Sequence, residues 1–208
     1  MSKEFTLPAP KPIVDLSDEM FDRVWKLMWP LSMNIYAANN SSLVREDFLN
    51  GEKLNWYRGR KLLKLTSPLV ELGAKVLGGD IVELSVDTQD VAPNSAQRSP
   101  QWHWDGAARS VVASNALTTN FVTGTIDETH PIAAMFHGTP KGHQLPNDFS
   151  NSVDQAIDKG ELELYQTDPG TAYAFTYEHV HCGQINQTDE VIRRCFMRVV
   201  NGTVNYYL

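Results

Sequence analysis

From Ile81 onward the chain is a series of short β-rich runs separated by turn-rich stretches: Ile81 to Thr88, Ser110 to Thr119, Phe121 to Ile126, Ile132 to His137, Glu161 to Gln166, Thr171 to Tyr177 and Val191 to Val200. A run that short cannot bury a face alone, so several in sequence must pack as a sandwich or barrel. The preceding residues read differently. Ser17 is placed to cap a helix with Asp18 and Glu19 in its first turn and an apolar stripe of Met20, Phe21, Val24, Trp25, Leu27 and Met28 before Pro30. Ser67 as cap and Pro68 in the first turn predict a second helix through Leu69, Val70, Leu72, Val76 and Leu77, stopped by Gly78 and Gly79. Ala37 to Asn50 reads as a loop with a short helix at Val44 to Leu49. Pro146 to Lys159 reads mainly as an inserted loop with a brief helix over Val153 to Asp158.

The expectation is one domain over 1–208, with an arm and helical buttress over 1–79 and an antiparallel β-core over 80–208. An apolar share of 42% with 21% charged residues is ordinary for a globular protein, and no apolar run is long enough to cross a bilayer. The opening residues lack the apolar stretch of a secretion signal, which points to the cytoplasm. Cys182 and Cys195 then read as reduced core thiols, although adjacent strands would let them pair. A net charge of -7 disfavours nucleic acid as a partner; Arg58, Arg60, Lys61 and Lys64 near Trp56 and Tyr57 read as a solvated face.

Chemistry concentrates at His103-Trp104-Asp105. On an extended strand His103 and Asp105 point one way and Trp104 the other, so an imidazole and a carboxylate can address one ion while Trp102 and Trp104 pack outward on helices. A distal histidine would complete two imidazoles and one carboxylate on one face of a metal, the donor set of non-haem Fe(II) oxygenases. His181, 78 residues after His103, is the preferred third ligand; His179 shares its parity and competes, while His130 and His137 read as turn and strand residues. Past a turn at Cys182 to Asn186, Arg194 and Arg198 share a strand face. Turned inward they would be buried charges in search of an anion, and arginine grips a carboxylate through two parallel N–H bonds. A one-residue shift would turn Arg193 inward instead.

His103-x-Asp105, the distal His181 and a basic residue 13 positions later resemble the Fe(II)- and 2-oxoglutarate-dependent dioxygenases of the double-stranded β-helix (jelly-roll, cupin-like) fold. The resemblance covers about residues 80 to 200. Gly170-Thr-Ala-Tyr-Ala-Phe-Thr-Tyr is similar to that family's penultimate strand. Gly138-Thr139-Pro140-Lys141-Gly142-His143 is similar to its mid-barrel loop, with an insertion that makes His143 a poor ligand. The resemblance implies that His103, Asp105 and His181 hold Fe(II), that Arg194 anchors the far carboxylate of 2-oxoglutarate, and that Arg198 matches the second arginine of a subset. Thr118 and Asn120 are candidates to reach cosubstrate or substrate. It further implies consumption of O2, release of succinate and CO2, and hydroxylation of an unactivated C–H bond in a small metabolite or amino acid. Loops at Gln89 to Pro100 and Pro146 to Lys159 would choose the substrate. Two other readings use the same residues: a cupin-like metal isomerase or zinc hydrolase, and a non-catalytic carboxylate-binding β-barrel.

Overall fold

The computed structural model describes residues 3–28, 32–38, 42–48, 56–78, 83–96, 99–105, 109–140 and 144–201. Among the described residues the chain is mainly β, with its strands in two sheets. Among the described residues the larger has the order β2 (Lys11–Asp15), β9 (Thr171–Phe175), β6 (Arg109–Ser114), β11 (Ile192–Asn201), β5 (Glu83–Val91), β3 (Ser32–Ala38), β4 (Ser42–Phe48). In the smaller, β7 (Thr119–Asp127) pairs antiparallel with β1 (Glu4–Leu7), β8 (Glu163–Gln166) and β10 (His181–Gly183). The sheets face each other and keep open edges, where the sequence suggested a closed barrel.

Alternation along the strands sorts the core into three layers. The outer face of the larger sheet, with Val111, Cys195, Met197 and Val199, packs on Phe21, Val24 and Trp25 of α1 (Asp18–Met28) and Leu69 and Leu77 of α2 (Trp56–Leu77). Its inner face meets the smaller sheet through Val112, Phe121, Tyr173, Phe175 and Phe196. The outer face of the smaller sheet, with Val122 and Cys182, is covered by α3 (Pro131–Gly138) and α4 (Phe149–Asp158). Val111 and Val112, like Met197 and Phe196, thus divide between two layers as neighbours on a strand must. Among the described residues, no helix is long and apolar enough to cross a membrane.

Both predicted N-terminal helices are present, with different origins. Ser17 caps α1, its Oγ accepting from the Met20 N–H at 3.3 Å. α2, by contrast, begins 11 residues before the predicted cap, so Ser67 and Pro68 lie in its interior. Proline has no N–H to give the carbonyl four residues back, here that of Lys64. The Ser67 hydroxyl donates to that carbonyl at 3.2 Å, which lets the helix continue past the proline. Gly78, at φ +68°, ends it in the left-handed conformation.

Four further expectations are corrected. The β-structure starts at Glu4, and the proline-rich arm supplies a strand to each sheet. Within the stretch 37–50, read as a loop with a helix, residues 37–38 end β3 and residues 42–48 form β4, and the two strands pair antiparallel. The run Ile132 to His137, read as a strand, is α3: His130 Nδ1 accepts from the Ile132 N–H at 3.2 Å, Pro131 opens the first turn, and Ile132, Ala133 and Phe136 are buried at helical spacing. The stretch 146–159 is mostly α4, burying Phe149, Val153 and Ala156 at i, i+4 and i+7.

Candidate metal centre

His103 lies in an isolated two-residue bridge, outside a continuous strand. Its N–H donates to the His181 carbonyl and the His181 N–H donates back, both at 2.9 Å. The same pairing runs on where the Gly183 N–H donates to Ser99 at 2.7 Å and the Asn186 N–H to Ser95 at 2.9 Å. Ser95, Ser99 and His103 are thereby fastened to the segment that carries His181, which closes the 78-residue separation. Trp102 and Trp104 point out of this edge, but onto α3 and α4, not onto the N-terminal helices: the Trp102 Nε1–H donates to Asp154 at 2.6 Å, and the Trp104 ring meets Phe136 with centroids 4.5 Å apart. With the tryptophans outward, His103 and Asp105 point inward.

His103, Asp105 and His181 each bring one ligand atom to within 4.8 Å of the other two. The backbone fixes the tautomers of both imidazoles. His103 Nδ1 sits 2.7 Å from the Gln101 carbonyl and His181 Nδ1 3.2 Å from that of His179; a carbonyl only accepts, so each Nδ1 carries the proton and each neutral ring keeps its lone pair on Nε2. His181 Nε2 lies 3.3 Å from Asp105 Oδ2. Two imidazole nitrogens and a carboxylate oxygen converging in this way are a donor set that fits a divalent metal. Burial, reinforced by His181, pushes the His103 pKa down to about 4, which keeps this ring neutral and ligating at pH 7. Burial alone would raise Asp105, but the Arg198 guanidinium outweighs it and holds the carboxyl well below the usual carboxylate range.

The competing histidines are engaged elsewhere. His179 Nδ1 accepts from the Thr176 N–H at 3.1 Å while its Nε2–H donates to the Ala9 carbonyl at 3.2 Å, and burial lowers its pKa. His130 caps α3, and His137 lies on that helix with its ring against Phe5. His143 falls outside the described residues.

The three residues line a cavity of about 400 Å³ between the sheets, with Ser99, Val112, Thr119, Phe175, Cys182, Gly183, Arg194, Phe196 and Arg198 in its wall. The parity of β11 is therefore resolved. Arg194 faces the cavity and is 2% exposed, whereas Arg193 lies over the Trp25 ring of α1 at 4.9 Å. A turn absent from the sequence reading holds Arg194 in place: its Nε donates to the Leu117 carbonyl at 2.7 Å and to that of Ala116 at 3.2 Å. Leu117 sits at φ +46°, a costly conformation for a leucine, and Asn115 Oδ1 accepts from the Cys195 N–H at 2.7 Å to tie the turn to β11. Arg198 lies two strand repeats further along, beyond Phe196, with Nη2 3.0 Å from Asp105 Oδ2 and Nε donating to Ser110 Oγ at 3.1 Å.

Thr118 and Asn120 lie off the wall of this cavity. The Thr118 hydroxyl donates to the Thr167 carbonyl at 2.6 Å, and Asn120 lies with Trp102, Asp154 and Leu164 in a separate groove on the outer side of the smaller sheet. Thr119, between them, lines the cavity. Its parity with Phe121, whose aromatic ring fills the inter-sheet core, was the available signal. Of the two predicted specificity loops, 89–100 reaches the cavity through Ser99, while α4 lines the outer groove through Asp154, Ile157 and Asp158. Cys182 and Cys195 are free, buried and on different sheets, and burial pushes both thiols up to about 12.

No family model matches the chain, and no curated protein matches it. Solved structures do resemble it. An oxidoreductase of the 2OG-Fe(II) oxygenase family from Burkholderia pseudomallei aligns over 97% of this chain and 87% of its own, at 14% identity and a TM-score of 0.48. AviO1 from Streptomyces viridochromogenes Tue57 aligns over 98% and 91%, at 16% identity and a TM-score of 0.45. EvdO2 from Micromonospora carbonacea var. aurantiaca, in complex with 2-oxoglutarate, aligns over 88% and 78%, at 13% identity and a TM-score of 0.43.

Proposed function

We propose that this chain is an Fe(II)- and 2-oxoglutarate-dependent oxygenase of the double-stranded β-helix type, hydroxylating an unactivated C–H bond of a small metabolite or amino acid. The observation that carries the reading is the convergence of His103, Asp105 and His181 in a cavity that also holds the buried guanidinium of Arg194. Two neutral imidazoles and one carboxylate suit a ferrous ion and leave part of its coordination sphere to other ligands. Bound there, the iron supplies the activation of O2, coupled to oxidative decarboxylation of 2-oxoglutarate to succinate and CO2.

The protein's own contribution is binding and exclusion. Arg194, its Nε tied to the 116–117 turn, presents a cation preorganised for the distal carboxylate of the cosubstrate. Val112, Phe175 and Phe196 form apolar wall that keeps water from the reacting centre, while Ser99 and Thr119 add polar positions to the same wall. A zinc hydrolase would use the three metal ligands but has no task for Arg194.

Turnover separates the readings. With Fe(II), 2-oxoglutarate and a panel of small metabolites, the oxygenase consumes O2 and releases succinate in equal amounts, faster with its substrate present. Succinate that never exceeds the iron-only background would refute it, in favour of hydrolysis or of simple carboxylate binding.

A further inference from the structure

We propose that Arg198 is the built-in counter-ion of the metal site: it occupies Asp105 while the metal is absent and is released toward an anionic ligand when a divalent ion takes the carboxylate. The inference rests on the metal-site reading above and departs from the role of plain cosubstrate anchor suggested by the Arg194–Arg198 spacing.

Three observations carry it. Arg198 is 7% exposed, and its Nη2 lies 3.0 Å from Oδ2 of Asp105, the carboxylate of the metal-ligand set. That contact is an ion pair without an aligned hydrogen bond, because Nη2 is a buried donor with no hydrogen-bond acceptor. Meanwhile Nε is fixed to Ser110 Oγ, so the head is anchored at one end and can re-aim Nη2 within the cavity it lines. A guanidinium held this way neutralises Asp105 and keeps it assembled with the two histidines. It also opposes the ion, since the metal must replace one cation beside another inside a poorly solvated cavity. Once the ion is bound, Arg198 is a buried cation next to a dication, and an anionic group in the cavity is what offsets it. Metal and carboxylate are thereby coupled through one side chain, and such coupling is reciprocal.

The test is Mn(II) affinity, read from the electron paramagnetic resonance signal of free Mn(II) on the full chain without added carboxylate. Arg198→Met binds Mn(II) about tenfold more tightly than the wild type, since the competing charge is gone, and Arg198→Lys, which keeps the charge, stays within about twofold of wild type. With saturating 2-oxoglutarate the advantage of Arg198→Met disappears. Equal or weaker Mn(II) binding by Arg198→Met overturns the proposal, and tighter binding by both variants alike overturns the charge argument. If Arg198→Met does not fold, the wild type still decides: the Nη resonances of Arg198, assigned by their loss in Arg198→Lys, must shift on Zn(II) addition, and unmoved resonances refute release. A wild type that binds no Mn(II) would instead remove the metal site itself.

Discussion

His103 and His181 exchange both of their backbone hydrogen bonds, each N–H donating to the other's carbonyl at 2.9 Å, and their rings lie 4.5 Å apart between centroids. The pairing of two imidazoles is thus built into the β-structure of the smaller sheet and does not wait on an ion. Asp105 follows two residues later on the same inward side.

Removing that carboxylate is expected to remove the metal. Asp105→Ala should bring 2-oxoglutarate-dependent succinate release to background and weaken Mn(II) binding by about a hundredfold or more. Trp104→Phe, which alters only the face packed on Phe136, should bind Mn(II) as the wild type does. Thermal unfolding of both variants shows whether a loss of binding is a loss of fold.

The two arginines of β11 should separate cleanly. Arg194→Ala strands the cosubstrate's distal carboxylate, worth about 2 to 5 kcal/mol, and should raise the apparent 2-oxoglutarate requirement at least about thirtyfold. Arg193→Ala loses only a surface cation above Trp25 and should change that requirement less than about twofold, with a stability cost of about 0.5 to 1 kcal/mol. Succinate release measured against 2-oxoglutarate concentration gives both numbers; the reverse order would require β11 to face the other way.

His130 is a helix cap. His130→Ala should lower unfolding free energy by about 1 kcal/mol in urea, through loss of the bond from the Ile132 N–H, with Mn(II) affinity unchanged. A drop in metal affinity without loss of stability would assign it a ligand role.

Stability of the metal-free protein should fall as pH drops from about 6.5 toward about 4. His103 holds off its proton until about pH 4 when folded, whereas the unfolded chain takes it up near 6.5, so protons favour unfolding across that window. His179, lowered by its burial, adds a contribution of the same sign. Urea unfolding at several pH values checks this: His103→Gln should flatten part of the slope, and a wild-type profile that is flat over the window contradicts it.

What the sequence disclosed follows from periodicity. The two-residue period put His103 and Asp105 on one side and the tryptophans on the other, and the same rule aligned Arg194 with Arg198. Choosing between Arg193 and Arg194 needed the register of β11 with β5 and β6, which no local pattern contains. The errors have equally local causes. Ile132 to Phe136 is a short apolar run that suits strand or helix, and the decisive signal was the His130-Pro131 start preceding it. Ser67-Pro68 looks like a helix beginning because the same pair that opens a helix can also repair one from within. The turn at Asn115 to Leu117 left no trace in the sequence, since its value lies in carbonyls offered to an arginine 77 residues away from Leu117.

The most direct measurement is an anaerobic titration of the metal-free protein with Fe(II) in the presence of 2-oxoglutarate, followed by visible absorption. A weak charge-transfer band should grow to saturation at one iron per chain, require both components, and be missing from Asp105→Ala. Absence of the band in the wild type, or an equal band in Asp105→Ala, would contradict a ferrous centre held by His103, Asp105 and His181.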